Sequence, residues 1–409
     1  MRETLTIDRL GRQGDGVALR DGEAVHVPFA LPGETVSVAG KGKRARLEAV
    51  LAASPSRQEA ICRHFGTCGG CRLQHFEAQA YRAWKREMVV EALVRAGIET
   101  PVAPLVTFPV ASRRRAVFSA TRTVSGTIFG FQERDSNRIV DLADCPILLP
   151  ELAGRLDAFR TLCGLLAPRK GTVRLTVLAC GNGLDLAAEC EGRVPDKIVS
   201  RAIALAGEEG FARLSLNGEI LAQFLVPALA CGSAMVTPPP GGFAQAVGEA
   251  ETAMAGLVLG HLAECRRTAD LFSGFGAFAL RLAANSEVHA AEFDAAALAA
   301  LDRAWRETGG ALKRVTTDRR DLFRRPMTKE ELAGFDGAVF DPPRAGAEAQ
   351  VAQLAGSGAR RIAAVSCNPV TLARDLRVLL DGGYRIVSVT PVDQFVFTAH
   401  VEAVALLQR

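Results

Sequence analysis

The sequence predicts an α/β protein: a parallel, doubly wound sheet preceded by a small β-barrel and a central α+β domain. Strands and helices alternate from about residue 241 onward, a pattern typical of parallel sheets. Short runs of alternating apolar and polar residues, separated by turn residues, fill the first part of the chain. Residues 101 to about 235 mix strands with shorter helices. We therefore expect domains at residues 1–54, 55–235 and 236–409.

Size and composition set the broad class. The 409 residues exceed what one core usually holds, and 48% hydrophobic with 23% charged residues indicates a globular protein. A net charge of +4 is compatible with a nucleic-acid partner without requiring one. Positive charge is concentrated at residues 41–46, 113–115 and 319–325, and each run is also typical of an ordinary solvated face.

The cellular compartment of the protein determines whether its cysteines are expected as thiols or as disulfides. No apolar stretch reaches the ~18–20 residues that span a bilayer, and the amino terminus lacks the hydrophobic segment of a signal peptide. We therefore expect a cytoplasmic protein with no membrane partner, in which thiols stay reduced. The ten cysteines are then candidates for ligands, a nucleophile or core residues, not for disulfides.

Residues 1–54 predict an all-β unit. Alternating runs at 3–10, 24–28, 35–39 and 45–52 are separated by glycine-containing turns. A small barrel with a basic loop at 41–46 is a common way to hold an RNA backbone. A purely structural barrel fits the same pattern equally well.

The central region begins with a dense group of cysteines, followed by a predicted helix at 77–96. Cys62, Cys68 and Cys71 fall within one ten-residue, glycine-rich loop. This spacing in a cytoplasmic protein indicates metal binding. Cys145, beside a proline in a loop, is the best candidate for a fourth ligand. Four thiolates suit either zinc or an iron–sulfur cluster. Ordinary core or surface positions are expected for Cys163, Cys180, Cys190, Cys231 and Cys265.

The carboxyl-terminal part predicts strands at 267–271, 287–293, 337–340 and 362–366, with helices at 277–284, 295–308 and 371–380. Ligands of such sheets bind at the carboxyl ends of the strands. The residues that carry chemistry fall at those ends.

A cofactor site is predicted at the first of these ends. The segment from Asp270 to Gly276 forms a glycine-rich turn, in which Gly274 and Gly276 allow a ligand to approach the backbone closely. Glu292 ends the next strand about 20 residues on, where an acidic residue accepts hydrogen bonds from ribose hydroxyls. Asp321 is placed to meet an adenine amino group. These features alone also fit a dinucleotide-binding fold.

The segment Asp341-Pro-Pro-Arg344 closes the strand at 337–340. With the glycine turn and the acidic strand end, it resembles a class I (Rossmann-like) S-adenosylmethionine-dependent methyltransferase. Dinucleotide-binding folds lack the Asp-Pro-Pro.

Cys367 follows a buried strand in Ser-Cys-Asn-Pro and is a candidate nucleophile. A small core cysteine is the alternative interpretation. Thiolate addition to carbon 6 of uracil would activate carbon 5 to attack a sulfonium methyl, and a base would then remove the carbon 5 hydrogen. Glu402 is the candidate base, because a lone carboxylate on an apolar strand is costly without a task. A salt-bridged edge position is the alternative for Glu402.

Asp-Pro-Pro-Arg, Ser-Cys-Asn-Pro and His-Val-Glu together resemble the RNA (uracil-5-)-methyltransferase family over essentially the whole chain. The resemblance implies that Cys367 is the nucleophile and Glu402 the proton-abstracting base. It further implies base or cofactor contacts, made by Gln245, Asp341, Phe272, Glu292 and Asp321. Two departures are Val247 and Ala277, where family members often carry asparagine.

The barrel and the cysteines resemble the family branch that methylates 23S ribosomal RNA. That resemblance implies a TRAM domain, a 4Fe–4S cluster held by Cys62, Cys68, Cys71 and Cys145, and phosphate contacts at residues 113–115. We expect a monomer acting on a flipped-out uridine. Methylation of transfer RNA remains the alternative within the family. Two alternatives lie outside the family. One is an amino-group methyltransferase, which needs no nucleophilic cysteine, and the other is a non-catalytic RNA-binding iron–sulfur protein.

Overall fold

A computed structural model describes residues 2–409 and begins with an all-β unit. Its six strands form two three-stranded antiparallel sheets, β1-β5-β6 and β2-β3-β4, which share one apolar core. The predicted strand at 3–10 is divided, because the Ile7 backbone N–H donates to Glu34, directly before a strand of one sheet, whereas the Asp8 backbone N–H donates to Val17 of the other sheet. The strands are β1 (Arg2–Thr6), β2 (Arg9–Leu10), β3 (Gly16–Arg20), β4 (Glu23–Val27), β5 (Thr35–Ala39) and β6 (Arg46–Ala52).

The cysteine-rich loop leads into α1 (Ala78–Arg95), close to the predicted bounds. The Glu77 carboxylate caps this helix by accepting hydrogen bonds from the backbone of Gln79 and Ala80. Gly97, with φ of 70°, ends it. Within residues 2–409, no helix has the length and apolar character needed to cross a membrane.

The central region is built on a six-stranded sheet in the order β13-β12-β11-β10-β8-β9. Helix α3 packs on β8 and β9, and phenylalanines fill the core beneath it. The elements are β7 (Val106–Thr107), β8 (Arg115–Thr123), β9 (Gly126–Gly130), α2 (Pro150–Ala153), α3 (Leu156–Leu166), β10 (Val173–Cys180), β11 (Gly183–Cys190), α4 (Asp196–Glu208), β12 (Arg213–Leu216), β13 (Glu219–Gln223), β14 (Leu229–Cys231) and β15 (Ala234–Val236).

The carboxyl-terminal part contains the predicted doubly wound sheet. Its helices and strands follow one another along the chain as α5 (Gly248–Leu262), β16 (Arg267–Leu271), α6 (Ala279–Leu282), β17 (Glu287–Glu292), α7 (Ala295–Glu307), β18 (Val315–Arg319), α8 (Lys329–Leu332), β19 (Gly337–Phe340), α9 (Glu348–Ala355), β20 (Arg361–Ser366), α10 (Pro369–Asp381), β21 (Arg385–Asp393) and β22 (Glu402–Gln408).

The sheet order is β18-β17-β16-β19-β20-β22-β21-β7. All pairings are parallel except those of β22, so the predicted parallel, doubly wound sheet contains one strand that runs antiparallel to both β20 and β21. The strand order reverses between β16 and β19, where Leu271 pairs with Phe340. Ligands bind at such a switch point, and it places the glycine turn beside Asp341.

Two elements from before residue 236 pack on this sheet. Strand β7 pairs with β21 at its edge, and α1 packs against α10. The chain thus contributes to the carboxyl-terminal core well before the doubly wound part begins. This packing brings α1 close to the ends of β20 and β21, where the candidate site lies.

Candidate functional site

A cavity of about 660 Å³ opens at the carboxyl ends of β16, β17, β19 and β20. Its walls combine residues that are far apart in sequence. Eight of the nine predicted cofactor and catalytic residues line it: Gln245, Phe272, Gly274, Glu292, Asp321, Asp341, Cys367 and Glu402. The structure therefore brings the sequence-predicted residues together in one site.

The ninth predicted residue, Gly276, lies beneath the cavity wall. Its φ is +94°, and a Cβ atom there would approach Leu301 Cγ to 2.8 Å. Gly276 therefore serves the turn itself and its packing on α7. The turn also holds Phe272 at a φ of +62°, with its backbone N–H bonded to Ala291.

Glu292 links the glycine turn to the end of β17. Its Oε2 accepts a hydrogen bond from the Gly274 backbone N–H at 3.1 Å, and its Oε1 accepts from Phe293 and Asp294. A carboxylate offers about four acceptor positions, so capacity for ribose hydroxyls remains. The side chain of Ser273 lies buried in the same wall, and its Oγ has no partner within residues 2–409.

Aromatic rings form the apolar end of the cavity. The rings of Phe272 and Phe323 lie 5.3 Å apart between centroids, and Phe293 is largely exposed nearby. Asp321 sits beside them, accepting a backbone hydrogen bond from Phe323. A planar base with an amino group fits between aromatic faces and a carboxylate.

The opposite end contains a chain of hydrogen-bonded side chains. Gln245 Nε2 donates to Asp341 Oδ2 at 3.1 Å. Gln394 Nε2 donates both to Gln245 Oε1 at 2.6 Å and to Glu402 Oε1 at 2.9 Å. The Ala246 backbone N–H donates to Gln394 Oε1, which fixes the orientation of this amide. Gln394 is 2% exposed.

Glu402 is buried on the antiparallel strand β22. Its Oε1 is held by Gln394, whereas its Oε2 has no partner within the described chain. Burial, and then repulsion from Asp341, raises the pKa of Glu402 to about 8. Burial also raises the pKa of Asp341, to about 7. Two carboxyl groups with raised pKa values thus face one cavity, a pattern typical of functional sites.

Cys367 is half-buried at the end of β20, directly before α10. Asn368 caps that helix because its Oδ1 accepts a hydrogen bond from the Val370 backbone N–H, which fixes the turn on which Cys367 lies. Burial raises the pKa of the Cys367 thiol to about 11, with Glu402 and Asp341 contributing. In the absence of ligands the group is therefore a protonated thiol.

The segment between β21 and β22 is anchored by α1. Lys85, fully buried, forms an ion pair with Asp393 and donates to the backbone carbonyls of Phe395 and His400. The Tyr81 hydroxyl donates to Asp393 Oδ2 at 2.7 Å. The sequence alone missed Lys85, Asp393 and Gln394 as site residues. The one signal available from the sequence was a lysine at the helical spacing of apolar residues on α1, and its role becomes clear only with its partner in three dimensions.

Arg344 borders the cavity close to Cys367. It donates to the ring of His400, with Nε2 at 2.9 Å. Burial, followed by the charge of Arg344, lowers the pKa of His400 to about 4, so the ring is neutral and accepts this bond.

The cysteine-rich loop forms a separate site. Cys62, Cys68, Cys71 and Cys145 all line one apolar cavity of about 20 Å³. All ten cysteines of the chain are free thiols, as expected. Burial raises the pKa of Cys71 to about 12 and that of Cys145 to about 11. In residues 2–409, however, no group of three or more histidine, cysteine, aspartate or glutamate side chains is positioned to hold a metal ion.

The basic run at 113–115 faces inward. Arg114 pairs with the buried Glu251 at 2.6 Å and donates to the Gln245 carbonyl, while the Arg115 guanidinium lies 5.8 Å from the Phe243 ring. Arg114 therefore ties the central region to the cavity wall.

A nucleoside-sized cavity at the switch point of this sheet, lined by a glycine turn, an acidic strand end and Asp-Pro-Pro, defines a class I S-adenosylmethionine-dependent methyltransferase. Residues 240–409 match the family model of tRNA (uracil-5-)-methyltransferases. The chain is 52% identical to an uncharacterized RNA methyltransferase of Brucella suis, over 99% of this chain and 97% of that protein.

A more distant relative is the 23S rRNA (uracil(1939)-C(5))-methyltransferase RlmD of Halomonas elongata, 34% identical over 100% of this chain and 90% of that protein. The tRNA (uracil-54, C5)-methyltransferase of Pyrococcus abyssi, solved with S-adenosyl-L-homocysteine, shares the fold, with a TM-score of 0.75, 23% identity and complete coverage of both chains. The chain belongs to the S-adenosylmethionine-dependent RNA (uracil-5-)-methyltransferase family.

Proposed function

We propose that this protein methylates carbon 5 of a uridine in 23S ribosomal RNA through a covalent Cys367–uracil adduct that Glu402 resolves. The observation that carries the proposal is the meeting of Cys367 and Glu402 in the wall of one cofactor-sized cavity, with Glu402 Oε2 free to accept a proton. A thiol and an unpartnered carboxyl oxygen are the two groups that this chemistry requires.

The cofactor end of the cavity suits S-adenosylmethionine. Glu292 would accept hydrogen bonds from the ribose, Asp321 would meet the adenine amino group, and Phe272 and Phe323 would hold the ring. The Ser273 hydroxyl, which has no partner in the described part of the chain, adds one polar group to this wall. Gln245 and Asp341 lie between this end and Glu402, where the methyl group and the uracil would meet.

When bound, S-adenosylmethionine supplies an electrophilic methyl group, and its positive sulfonium lowers the pKa of neighbouring acids. Cys367 loses its proton to water and its sulfur adds to carbon 6 of uracil, moving the carbon 5–carbon 6 electron pair into an enolate. The bound cofactor, held by Glu292, Asp321 and Phe272, would supply its methyl group to carbon 5 and leave as S-adenosylhomocysteine.

Glu402 Oε2 then removes the carbon 5 proton. The electrons of that carbon–hydrogen bond restore the carbon 5–carbon 6 double bond, and the Cys367 thiolate leaves by elimination. Gln394 holds Oε1 throughout and so aims Oε2 at the substrate. Cys367 is thereby regenerated and can react with the next substrate.

The four cysteines support a 4Fe–4S cluster. They surround one cavity, although no described group is positioned for a single metal ion. A zinc ion would need all four sulfurs at about 2.3 Å, whereas a cluster accepts ligands spread more widely. We expect about four iron and four sulfide per chain after anaerobic purification, lost in Cys68→Ser and retained in Cys190→Ser. Iron-free wild-type protein after reconstitution would end this part of the proposal.

Residues 1–54 would serve as a TRAM-like RNA-binding unit, 55–235 as the cluster-bearing domain and 236–409 as the methyltransferase domain. The exposed Lys41 and Lys43 on the first unit are suited to phosphate. The 23S target is favoured by the RlmD relative, because the likeness spans the whole chain.

The function is tested with labelled S-adenosylmethionine and transcripts of 23S ribosomal RNA and transfer RNA. We expect 5-methyluridine in digested ribosomal RNA and no transfer by Cys367→Ala. Methylation of transfer RNA alone would show that the substrate is transfer RNA, while the proposed reaction at carbon 5 would stand. A methylated amino group in the digest, or full activity of Cys367→Ala, would overturn the mechanism.

A further inference from the structure

A second cavity, of about 260 Å³, lies on the other side of Cys367. Several parts of the chain enclose it, among them Arg12 and Gln13 from the first unit, Trp84 and Glu87 from α1, the turn after β20, and residues 399–401 before β22. Sites for drug-sized ligands usually measure about 300–1,000 Å³, so this cavity suits something smaller, such as one nucleobase.

Cys367 and Arg344 line both cavities, whereas Glu402, Gln245 and Asp341 line only the first. A uracil that reacts with both Cys367 and Glu402 must therefore occupy the first cavity. The two cavities share a wall, so the nucleotide next to that uracil in the strand lies within reach of the second.

The residues that line the α1 side of the second cavity favour binding of a base over binding of a phosphate. Trp84 is half-buried and offers an aromatic face on which a base can stack. Glu87 and Glu91 line the same side of the helix. Carboxylates repel a phosphate but accept hydrogen bonds from the amino groups of adenine, cytosine and guanine.

Glu87 is the carboxylate available for this contact. Glu91 pairs with Arg95 at 2.9 Å, whereas Glu87 is exposed and has no hydrogen bond or ion pair within residues 2–409. Arg12 is exposed at the opposite rim, where the strand's phosphates would pass.

We propose that this cavity binds the nucleotide adjacent to the target uridine and selects a base that carries an exocyclic amino group. The inference rests on the proposed function, because it assumes an RNA strand with its uracil in the first cavity. It adds a specificity determinant in which the first unit and α1 read the RNA beside the reacting base.

The test uses the full-length protein and RNA transcripts whose methylated uridine has been mapped. Each neighbour of that uridine is replaced in turn by each of the other bases. On one side, we expect uridine to lower kcat/KM about tenfold relative to the preferred amino-bearing base. Substitution on the other side should change kcat/KM less than twofold.

Glu87→Gln tests the carboxylate and Glu99→Gln is the matched control, because Glu99 is exposed and lies outside the cavity. We expect Glu87→Gln to reduce the discrimination between neighbours to within twofold, while Glu99→Gln keeps it. Trp84→Ala should raise KM for RNA about tenfold, with Trp84→Phe restoring most of the affinity.

Equal kcat/KM for all neighbours in the wild type, or unchanged discrimination in both Glu87→Gln and Trp84→Ala, would overturn the subsite. A wild type that methylates no uridine would instead overturn the proposed function, so the two failures are distinguishable. A thermal unfolding midpoint matching the wild type confirms that Trp84→Ala is folded.

Discussion

Gln394 donates a hydrogen bond to Glu402 across 2.9 Å, and with the same amino group it holds Gln245 at 2.6 Å. Because the Ala246 backbone occupies the Gln394 oxygen, the amide cannot turn over. One buried side chain thus orients both the candidate base and a residue beside the cofactor. It also leaves Glu402 Oε2 as the oxygen that faces the substrate.

Replacing Gln394 with leucine should move the pH dependence of methylation. The hydrogen bond from Gln394 lowers the pKa of Glu402, so its loss raises a pKa that already stands at about 8. A base acts only when deprotonated; activity therefore appears as pH rises through this pKa, and Gln394→Leu shifts that rise to higher pH. We expect kcat at pH 7 to fall about 10–100-fold. The measurement is kcat from pH 6 to 10 with saturating RNA and cofactor.

Gln79→Leu is the control for that series, because Gln79 is exposed at the start of α1. Its profile should match the wild type. A Gln394→Leu enzyme with the wild-type profile and rate would show that Gln394 does not position Glu402.

The Cys367 thiol should alkylate slowly in the ligand-free protein. Its pKa is raised to about 11 by burial and by neighbouring carboxyl groups, and only the thiolate reacts. The rate of iodoacetamide labelling at Cys367 should therefore rise about tenfold per pH unit between pH 8 and 10. Glu402→Gln removes one repelling charge and should speed labelling at pH 8. Peptide mass spectrometry measures this site, and a rate that is already maximal at pH 8 would contradict a raised pKa.

Lys85→Met should destabilise the protein strongly. The Lys85 side chain is 0% exposed and pairs with Asp393, so its removal leaves a buried charge uncompensated. Breaking such a pair costs about 3–5 kcal/mol. Thermal unfolding should show a lowered midpoint for Lys85→Met, a partial recovery in the Lys85→Met/Asp393→Asn double variant, and no change for the exposed Lys43→Met. Equal midpoints for the single and double variants would show that the instability of Lys85→Met does not come from an uncompensated charge on Asp393.

Gly276→Ala and Gly256→Ala form a matched pair. At Gly276 the φ of +94° and a 2.8 Å approach to Leu301 strain any side chain, whereas a Cβ at Gly256 in α5 meets nothing within 4 Å. Gly276→Ala should cost about 1–3 kcal/mol and weaken binding of S-adenosylhomocysteine. Gly256→Ala should stabilise by about 0.5–1 kcal/mol and leave binding unchanged. Titration calorimetry measures the binding and thermal unfolding measures the stability. Unaltered binding in Gly276→Ala would contradict the assignment of this glycine turn to the cofactor site.

The sequence predicted the doubly wound part well because its signals are local. The strand at Gly337–Phe340 has the predicted bounds, and the residues at the strand ends converge on one cavity because parallel strands end at the same edge. The strand Gly16–Arg20 was missed because it begins directly after a turn signal. The predicted helix at 277–284 is reduced to Ala279–Leu282, because the glycine turn extends through Phe278.

Other features depend on contacts that no local pattern reveals. Gln394 meets Gln245 from 149 positions away, and Lys85 meets Asp393 from 308. The pairing of Arg114 with the buried Glu251 is a further example, because the charge of a side chain does not reveal from sequence which partner it meets. The apolar run around Glu402 predicted a strand there, but the antiparallel direction of β22 follows from the chain returning between β20 and β21.

The central claim is the covalent Cys367–uracil adduct. The most direct test incubates anaerobically purified protein and S-adenosylmethionine with a 23S ribosomal RNA transcript containing 5-fluorouridine. Fluorine at carbon 5 leaves no proton for Glu402 to remove, so the adduct cannot resolve. We predict a protein–RNA band that survives a denaturing gel, is absent in Cys367→Ala and maps to Cys367 by mass spectrometry. Methyl transfer to unmodified RNA without any trapped band would contradict covalent catalysis by Cys367.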